Sequence, residues 1–199
     1  MARNSRSERP GSPRLRLFLA LELPGATRDA LAAWRSRALV GRDDLRPVAQ
    51  EALHVTLVFL GYQYEKEVER IASTAFDAVR GLAAPSLSPA GVVPVPPRGA
   101  PRLFALDLAD PSGDCLALQA AASDALASAR FYKPEKRPFW PHVTLARVKK
   151  GIRRAPPLSG AARLSLDPFV ASEVTLYRSV LRPQGALYEP LERLSLVRG

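Results

Sequence analysis

The tetrapeptide His54-Val55-Thr56-Leu57 recurs 88 positions downstream as His142-Val143-Thr144-Leu145. Both copies lie in β-rich runs. Residues 53 to 61 read Leu-His-Val-Thr-Leu-Val-Phe-Leu-Gly, closed by glycine, and residues 142 to 148 form the second run. Side chains alternate across a strand, so in each copy His and Thr point one way while Val and Leu point the other. Each copy therefore predicts a strand with one reactive face and one packing face. The chain holds two histidines in all, and both fall inside the repeat. Two related lobes, each contributing one such strand, account for this.

The segments around the repeat fit that picture. Leu15 to Leu23 is an apolar, strand-like run closed by Pro24 and Gly25, after which Leu31, Trp34 and Ala38 recur at helical spacing. Val68, Ile71, Ala72, Ala75, Phe76 and Val79 keep a helical rhythm through residues 65 to 81. Strands are expected over 86 to 95 and 102 to 109, joined as a hairpin by a turn carrying Pro94, Pro96, Pro97 and Pro101. Leu118, Ala122, Ala125, Leu126 and Ala129 define a third helix, started by Ser112 near its N-cap. Further strands are expected over 163 to 170, 173 to 182 and 187 to 197. Three helices among strands without strict alternation predict an α+β fold on antiparallel sheets.

Of the 199 residues 47% are hydrophobic and 24% charged, enough for a compact core. No apolar run approaches the ~20 residues of a spanning helix, and the N-terminus has no apolar signal core, so a cytoplasmic protein without membrane contact is expected. Residues 1 to 13, with Arg3, Arg6 and Arg9 among Ser, Pro and Gly, read as a flexible basic arm ahead of one domain over 14 to 199. Cys115 is the one cysteine, so internal disulfides and thiolate clusters are excluded, and among alanines and leucines it reads as a small core residue.

The net charge of +10 is unevenly spread. Arg130, Lys133, Lys136, Arg137, Arg147, Lys149, Lys150, Arg153 and Arg154 stand against the single acid Glu135. Such a cluster suits phosphate neutralisation and suggests a polyanionic partner, with a solvated basic loop as the alternative.

A pair of histidines facing a phosphate from opposite sides provides a base for the nucleophile and an acid for the leaving oxygen, while Thr56 and Thr144 hydroxyls donate to non-bridging oxygens. A cyclic phosphodiester suits the pair: ring strain aids the reaction, water is the nucleophile, and a sugar hydroxyl leaves. Spacing does not distinguish which histidine is the acid. A catalytic zinc commonly takes three protein ligands, and no carboxylate or cysteine stands near either motif in the sequence, so no metal is expected. There is no Gly-x-Ser-x-Gly turn and no phosphate-binding Gly-rich loop, so no nucleotide cofactor is expected either.

These residues resemble the two-histidine phosphoesterase superfamily, and within it the bacterial and archaeal RNA 2',3'-cyclic phosphodiesterases, also named 2'-5' RNA ligases. The likeness runs from about Arg16 to Val197. Arg16 to Pro24 is similar to the family's first strand, Glu51 to Gly61 to its first signature, and Arg137 to Arg147 to its second. Leu176 to Leu181, with Gly185 and Tyr188, is similar to the closing hairpin. The resemblance implies two pseudo-symmetric antiparallel sheets flanked by helices, with a cleft between two lobes. It implies hydrolysis of an RNA-terminal 2',3'-cyclic phosphate to a 2'-phosphate, with His54 as proton donor and His142 as acceptor. Reversible 2'-5' ligation is implied as well, with hydrolysis dominating in water. Arg137, Trp140, Arg147, Phe18 and Tyr188 are the implied substrate-binding residues, in a chain taken as a monomer.

Three details qualify the likeness. Arg147 lies out of phase with His142 on an ideal strand, which assigns it a structural or electrostatic role. Trp140 beside Phe139 is placed either to stack a base or to pack in the core. Where relatives commonly carry an aromatic shortly before the first motif, this chain has Arg46-Pro47-Val48, so one base-stacking or packing contact is expected to be absent. Two other functions remain open: a non-catalytic module that binds RNA ends, and a phosphodiesterase for another small cyclic phosphate.

Overall fold

Arg14–Glu22 (β1) shows how the chain builds a two-faced sheet: Leu15, Leu17, Leu19 and Leu21 are buried on one side, while Arg14, Arg16, Phe18, Ala20 and Glu22 share the other. The computed structural model describes residues 13–158, 164–183 and 185–197. The expected basic arm lies almost wholly outside the described residues.

After β1 come a helix, Gly25–Ala38 (α1), a short strand, Leu45–Pro47 (β2), and the first repeat strand, His54–Tyr64 (β3). A single 3-10 turn leads into Val68–Val79 (α2). The hairpin follows as Ser86–Val95 (β4) and Leu103–Ala109 (β5), then Asp114–Ser128 (α3) and the second repeat strand, His142–Val148 (β6). Phe169–Val170 (β7), Glu173–Arg182 (β8) and Gly185–Ser195 (β9) complete the order.

The strands run β7-β4-β5-β6-β3-β1-β8-β9, with β2 paired to β6. All pairings between these named strands are antiparallel. Halves of five strands (β7, β4, β5, β6 and β2) and four (β3, β1, β8 and β9) meet where the repeat strands touch, through the register pair Val55 with Val143. The fold is thus α+β on antiparallel strands, as expected, but where two sheets were expected the halves are continuous as one nine-stranded sheet, joined at this narrow seam. Each repeat strand follows a strand and a helix, β1 and α1 before β3 and β5 and α3 before β6, with the short β2 inserted ahead of β3.

The apolar spacing in the helices meets its sheet as read from the sequence. Leu31 and Trp34 of α1, Ile71, Ala72, Ala75, Phe76 and Val79 of α2, and Cys115, Leu118, Ala122 and Leu126 of α3 are all buried in one core. Burial also pushes the Cys115 thiol up to about 12, with the Asp110 charge adding to it, so it remains a neutral thiol.

Two expectations change. The start of α3 is satisfied by Asp110, not Ser112: the Asp110 carboxylate accepts from the backbone N–H groups of Cys115 at 3.3 Å and Leu116 at 3.0 Å. A carboxylate takes up two helix-end donors where one hydroxyl takes one. The strand expected over 163 to 170 narrows to Phe169–Val170 among the described residues, because only these and Leu87 with Ser86 on β4 come into register.

Candidate active site

The pair Val55 and Val143 marks a local two-fold axis between antiparallel strands. It relates His54 to His142 and Thr56 to Thr144, with both valines buried in the core and all four polar residues on the other face. The four line a cleft of about 120 Å³ together with Arg16, Phe18, Val48, Ala52, Phe59, Arg147 and Tyr188.

Both imidazoles are held the same way. His54 Nδ1 lies 2.8 Å from the Ala52 carbonyl and His142 Nδ1 lies 2.8 Å from the Trp140 carbonyl. A carbonyl only accepts, so Nδ1 carries the proton in each ring and Nε2 is left for chemistry. The Thr56 hydroxyl, 3.0 Å from His54 Nε2, donates to it when the ring is neutral.

The two rings differ in what surrounds them. His54 stands against Phe18, with centroids 4.9 Å apart, and edge-on to Tyr188 at 5.2 Å, while Phe18 stacks on Tyr177. His142 stacks on Trp140 at 4.1 Å. Burial pushes the His54 pKa down to about 4, and the His142 charge pushes the same way against the pull of the Ala52 carbonyl and Glu22. Burial also lowers the His142 pKa, assisted by the nearby charges of Arg137 and Arg147. The cleft by itself therefore holds both rings neutral near pH 7.

Each histidine faces a carboxylate across its strand pair, Glu22 opposite His54 and Asp107 opposite His142. Each carboxylate accepts a hydrogen bond from an aromatic neighbour of that histidine: Tyr177 Oη donates to Glu22 at 2.6 Å, and Trp140 Nε1 donates to Asp107 at 2.7 Å. Burial alone would raise the Glu22 pKa, but the hydrogen bonds from Tyr177 and Thr175 and the charges of Arg28 and Arg193 outweigh it and hold the carboxyl ionised. The sequence offered Glu51, three residues before His54, but no carboxylate on the face of either histidine. Folding supplies two, from partner strands more than thirty residues upstream.

Arg147 corrects a reading of strand phase. In β6 the register passes from Phe104 opposite Ala146 to Ala105 opposite Thr144, which leaves Leu145 as the extra residue of a β-bulge. One extra residue reverses the alternation beyond it, so Arg147 returns to the face of His142 and Thr144 and lines the cleft. The first repeat does the same. Leu19 faces Val58 and Ala20 faces Thr56, so Leu57 is the extra residue, and Phe59 is turned into the cleft. The Leu145 carbonyl accepts from the Val48 N–H at 3.0 Å, which satisfies the bulge and brings Val48 to the cleft wall.

The other expected residues divide. Phe18 and Tyr188 line the cleft with the histidines. Trp140 lies behind His142, stacked on it and bonded to Asp107. Arg137 is exposed and paired with Glu135 at 2.5 Å, outside the cleft wall. Of the nine basic residues between Arg130 and Arg154, Arg147 alone is in the lining. At the position where an aromatic was missed, Arg46 and Pro47 are exposed and Val48 fills the wall. Arg16, Val48, Ala52 and Phe59 were not singled out from the sequence as site residues, since only pairing and bulges bring them together.

Known proteins share this fold. A curated protein of Thermus thermophilus named RNA 2',3'-cyclic phosphodiesterase is 31% identical over 185 residues, covering 92% of this chain and 90% of that one. A crystal structure of a Thermus thermophilus protein matches with a TM-score of 0.74 and 30% identity, over 91% of this chain and 97% of that one. Escherichia coli LigT complexed with 3'-AMP matches with a TM-score of 0.72 and 26% identity, over 94% of this chain and all of that one, 100%. Residues 23–180, a span that contains both repeat strands and the seam between them, match the family described as the 2'-5' RNA ligase superfamily, and the chain belongs to that superfamily.

Proposed function

We propose that this protein hydrolyses the 2',3'-cyclic phosphate at the end of an RNA to a 2'-phosphomonoester. The observation that carries this reading is the pair of Nε2 atoms, each left without a proton in the neutral ring by an Nδ1–H bound to a backbone carbonyl, and related by the two-fold at Val55 and Val143. Arg16 and Arg147 supply positive charge in the same cleft. The Thermus relative is named for this activity, and the Escherichia coli relative has been crystallised with a nucleotide monophosphate.

In the reaction, His142 Nε2 takes a proton from water as its oxygen attacks phosphorus. The bond from phosphorus to O3' breaks, His54 Nε2–H protonates O3', and the phosphate remains on O2'. Thr56 and Thr144 donate to the non-bridging oxygens, and Arg147 offsets the charge that develops on them. The order of roles, His54 as acid, follows the family resemblance. A neutral His54 must gain its proton with the substrate, and an arriving phosphate anion favours that. Replacing water by a 5'-hydroxyl gives 2'-5' ligation by the same steps. On this reading the protein acts as a cytoplasmic monomer on RNA and needs no cofactor. Among the described residues no helix is long and apolar enough to cross a membrane.

A short RNA with a 2',3'-cyclic end tests the proposal in excess chelator and without ATP. Ring opening is expected at the rate seen without chelator. RNA that binds but stays cyclic would identify an RNA-end binding module, and activity that disappears in chelator and returns with a divalent ion would overturn the two-histidine mechanism.

A further inference from the structure

We propose that the shared face of β1 and β3, running from Arg16 and Phe59 at the cleft wall to Arg14, Tyr62 and Tyr64 beyond it, is a track for the single-stranded RNA that precedes the cyclic end. This rests on the proposed function and extends it to the length and form of the substrate. The cleft of about 120 Å³ is small beside the roughly 300–1,000 Å³ of pockets that engulf drug-sized ligands, so most of an RNA lies outside it.

The track follows from register. Glu22 pairs with His54, Ala20 with Thr56, Phe18 with Phe59, Arg16 with Tyr62 and Arg14 with Tyr64, and paired residues share a face. Two bulges in β3 keep this face continuous. The one at Leu57 returns Phe59 to it. At the second, Leu60 is the extra residue and Gly61 has a φ of 69°, a left-handed conformation suited to glycine, and the alternation is reset for Tyr62 and Tyr64. The four steps of β1 from Phe18 to Arg14 span ~13 Å, enough for a few extended nucleotides.

The chemistry along this line is that of a single-strand binder. Phe59, Tyr62 and Tyr64 are 40%, 62% and 41% exposed, three large rings left uncovered on one face of a paired sheet. Arg16 lies over the Phe59 ring at 4.5 Å, and Arg14 over the Tyr64 ring at 4.6 Å, with the Arg14 guanidinium also donating to the Tyr64 hydroxyl. Guanidinium planes and aromatic rings stack on bases of any kind, and their charge tracks the backbone. A groove lined by Phe59, Leu60, Gly61, Arg130, Phe131, Tyr132 and Lys133 flanks the strip, so two cations of the Arg130 to Arg154 stretch border it. The acids Glu65 and Glu67 stand only past its far end, and Glu67 is paired with Arg70.

The test compares a 2',3'-cyclic mononucleotide with an RNA of ~8 nucleotides bearing the same end, for the native protein, Tyr62→Ala with Tyr64→Ala, and Tyr64→Phe. The double variant should raise KM for the RNA ~10–100-fold with kcat retained, should leave the mononucleotide kinetics unchanged, and Tyr64→Phe should stay near native. Arg14→Ala should lower the salt dependence of binding to a 3'-phosphate-ended RNA by about one counterion. Unchanged RNA kinetics in the double variant, or an equal loss on the mononucleotide, would overturn the track. So would a KM that responds only to charge reversal at Lys149, Lys150, Arg153 and Arg154. A native protein inert toward the mononucleotide as well would instead overturn the cyclic-phosphate reading.

Discussion

His54→Ala and His142→Ala should each lower kcat by roughly 10²–10⁴-fold while the fold survives, because each removes one member of a positioned acid-base pair. Both side chains lie on the cleft face of their strands, and the core residues beneath them are Val55 and Val143, so neither change opens the core. The double variant should be little worse than either single one, since the second change removes half of a device already broken. The pH profile carries the electrostatics of the cleft. The productive state has one imidazole charged and one neutral, so kcat/KM should follow a bell, with limbs that belong to the pair. Burial lowers both pKa values, that of His54 to about 4, so the bell should centre on the acid side of the ordinary histidine value of 6.5. Bound phosphate stabilises the imidazolium, so the kcat profile should move toward higher pH. Steady-state kinetics across pH on native protein and the three variants checks all of this.

Arg147→Ala should lower kcat/KM by about 10²-fold or more, comparable with the loss of one donor that stabilises developing negative charge. Arg147→Lys should recover only part of it, since a point charge replaces a planar fork. The effect should appear equally on a cyclic mononucleotide and on longer RNA, because Arg147 lines the cleft itself. Reversing Lys149 and Lys150 on the following turn should leave the mononucleotide reaction unchanged. Kinetics of these variants on the two substrates would show whether the bulge at Leu145 places Arg147 in the reaction. Native turnover in Arg147→Ala would return the residue to the electrostatic surroundings.

The contrast between His142 and Arg147 shows where sequence reading succeeds. Period-two alternation over three residues is a local property, so the common face of His and Thr in each repeat was legible, as was the helical stripe from Val68 to Val79. The repeat itself announced two related halves. A bulge is a property of two paired strands, so the reversal of phase at Leu57 and Leu145 was hidden, and with it the places of Phe59 and Arg147. The carboxylates Glu22 and Asp107 escaped for the same reason: only the pairing of β1 with β3 and of β5 with β6 sets them beside the histidines. Trp140 was noticed, but as a residue to meet a base or fill the core. Its half-buried ring backs His142, and its indole N–H is taken by Asp107, a pairing that the sequence did not reveal. The density of charge between Arg130 and Arg154 was legible as charge, yet its positions scatter over loops once folded, and one side chain of the nine reaches the cleft.

The most direct measurement on the central claim is phosphorus NMR of the product formed from a short RNA with a 2',3'-cyclic end, run side by side with native protein, His54→Ala and His142→Ala. The account predicts a single 2'-phosphomonoester from the native protein and an unopened ring over the same time from each folded variant. A 3'-phosphomonoester, or ring opening at the native rate by either variant, would contradict it.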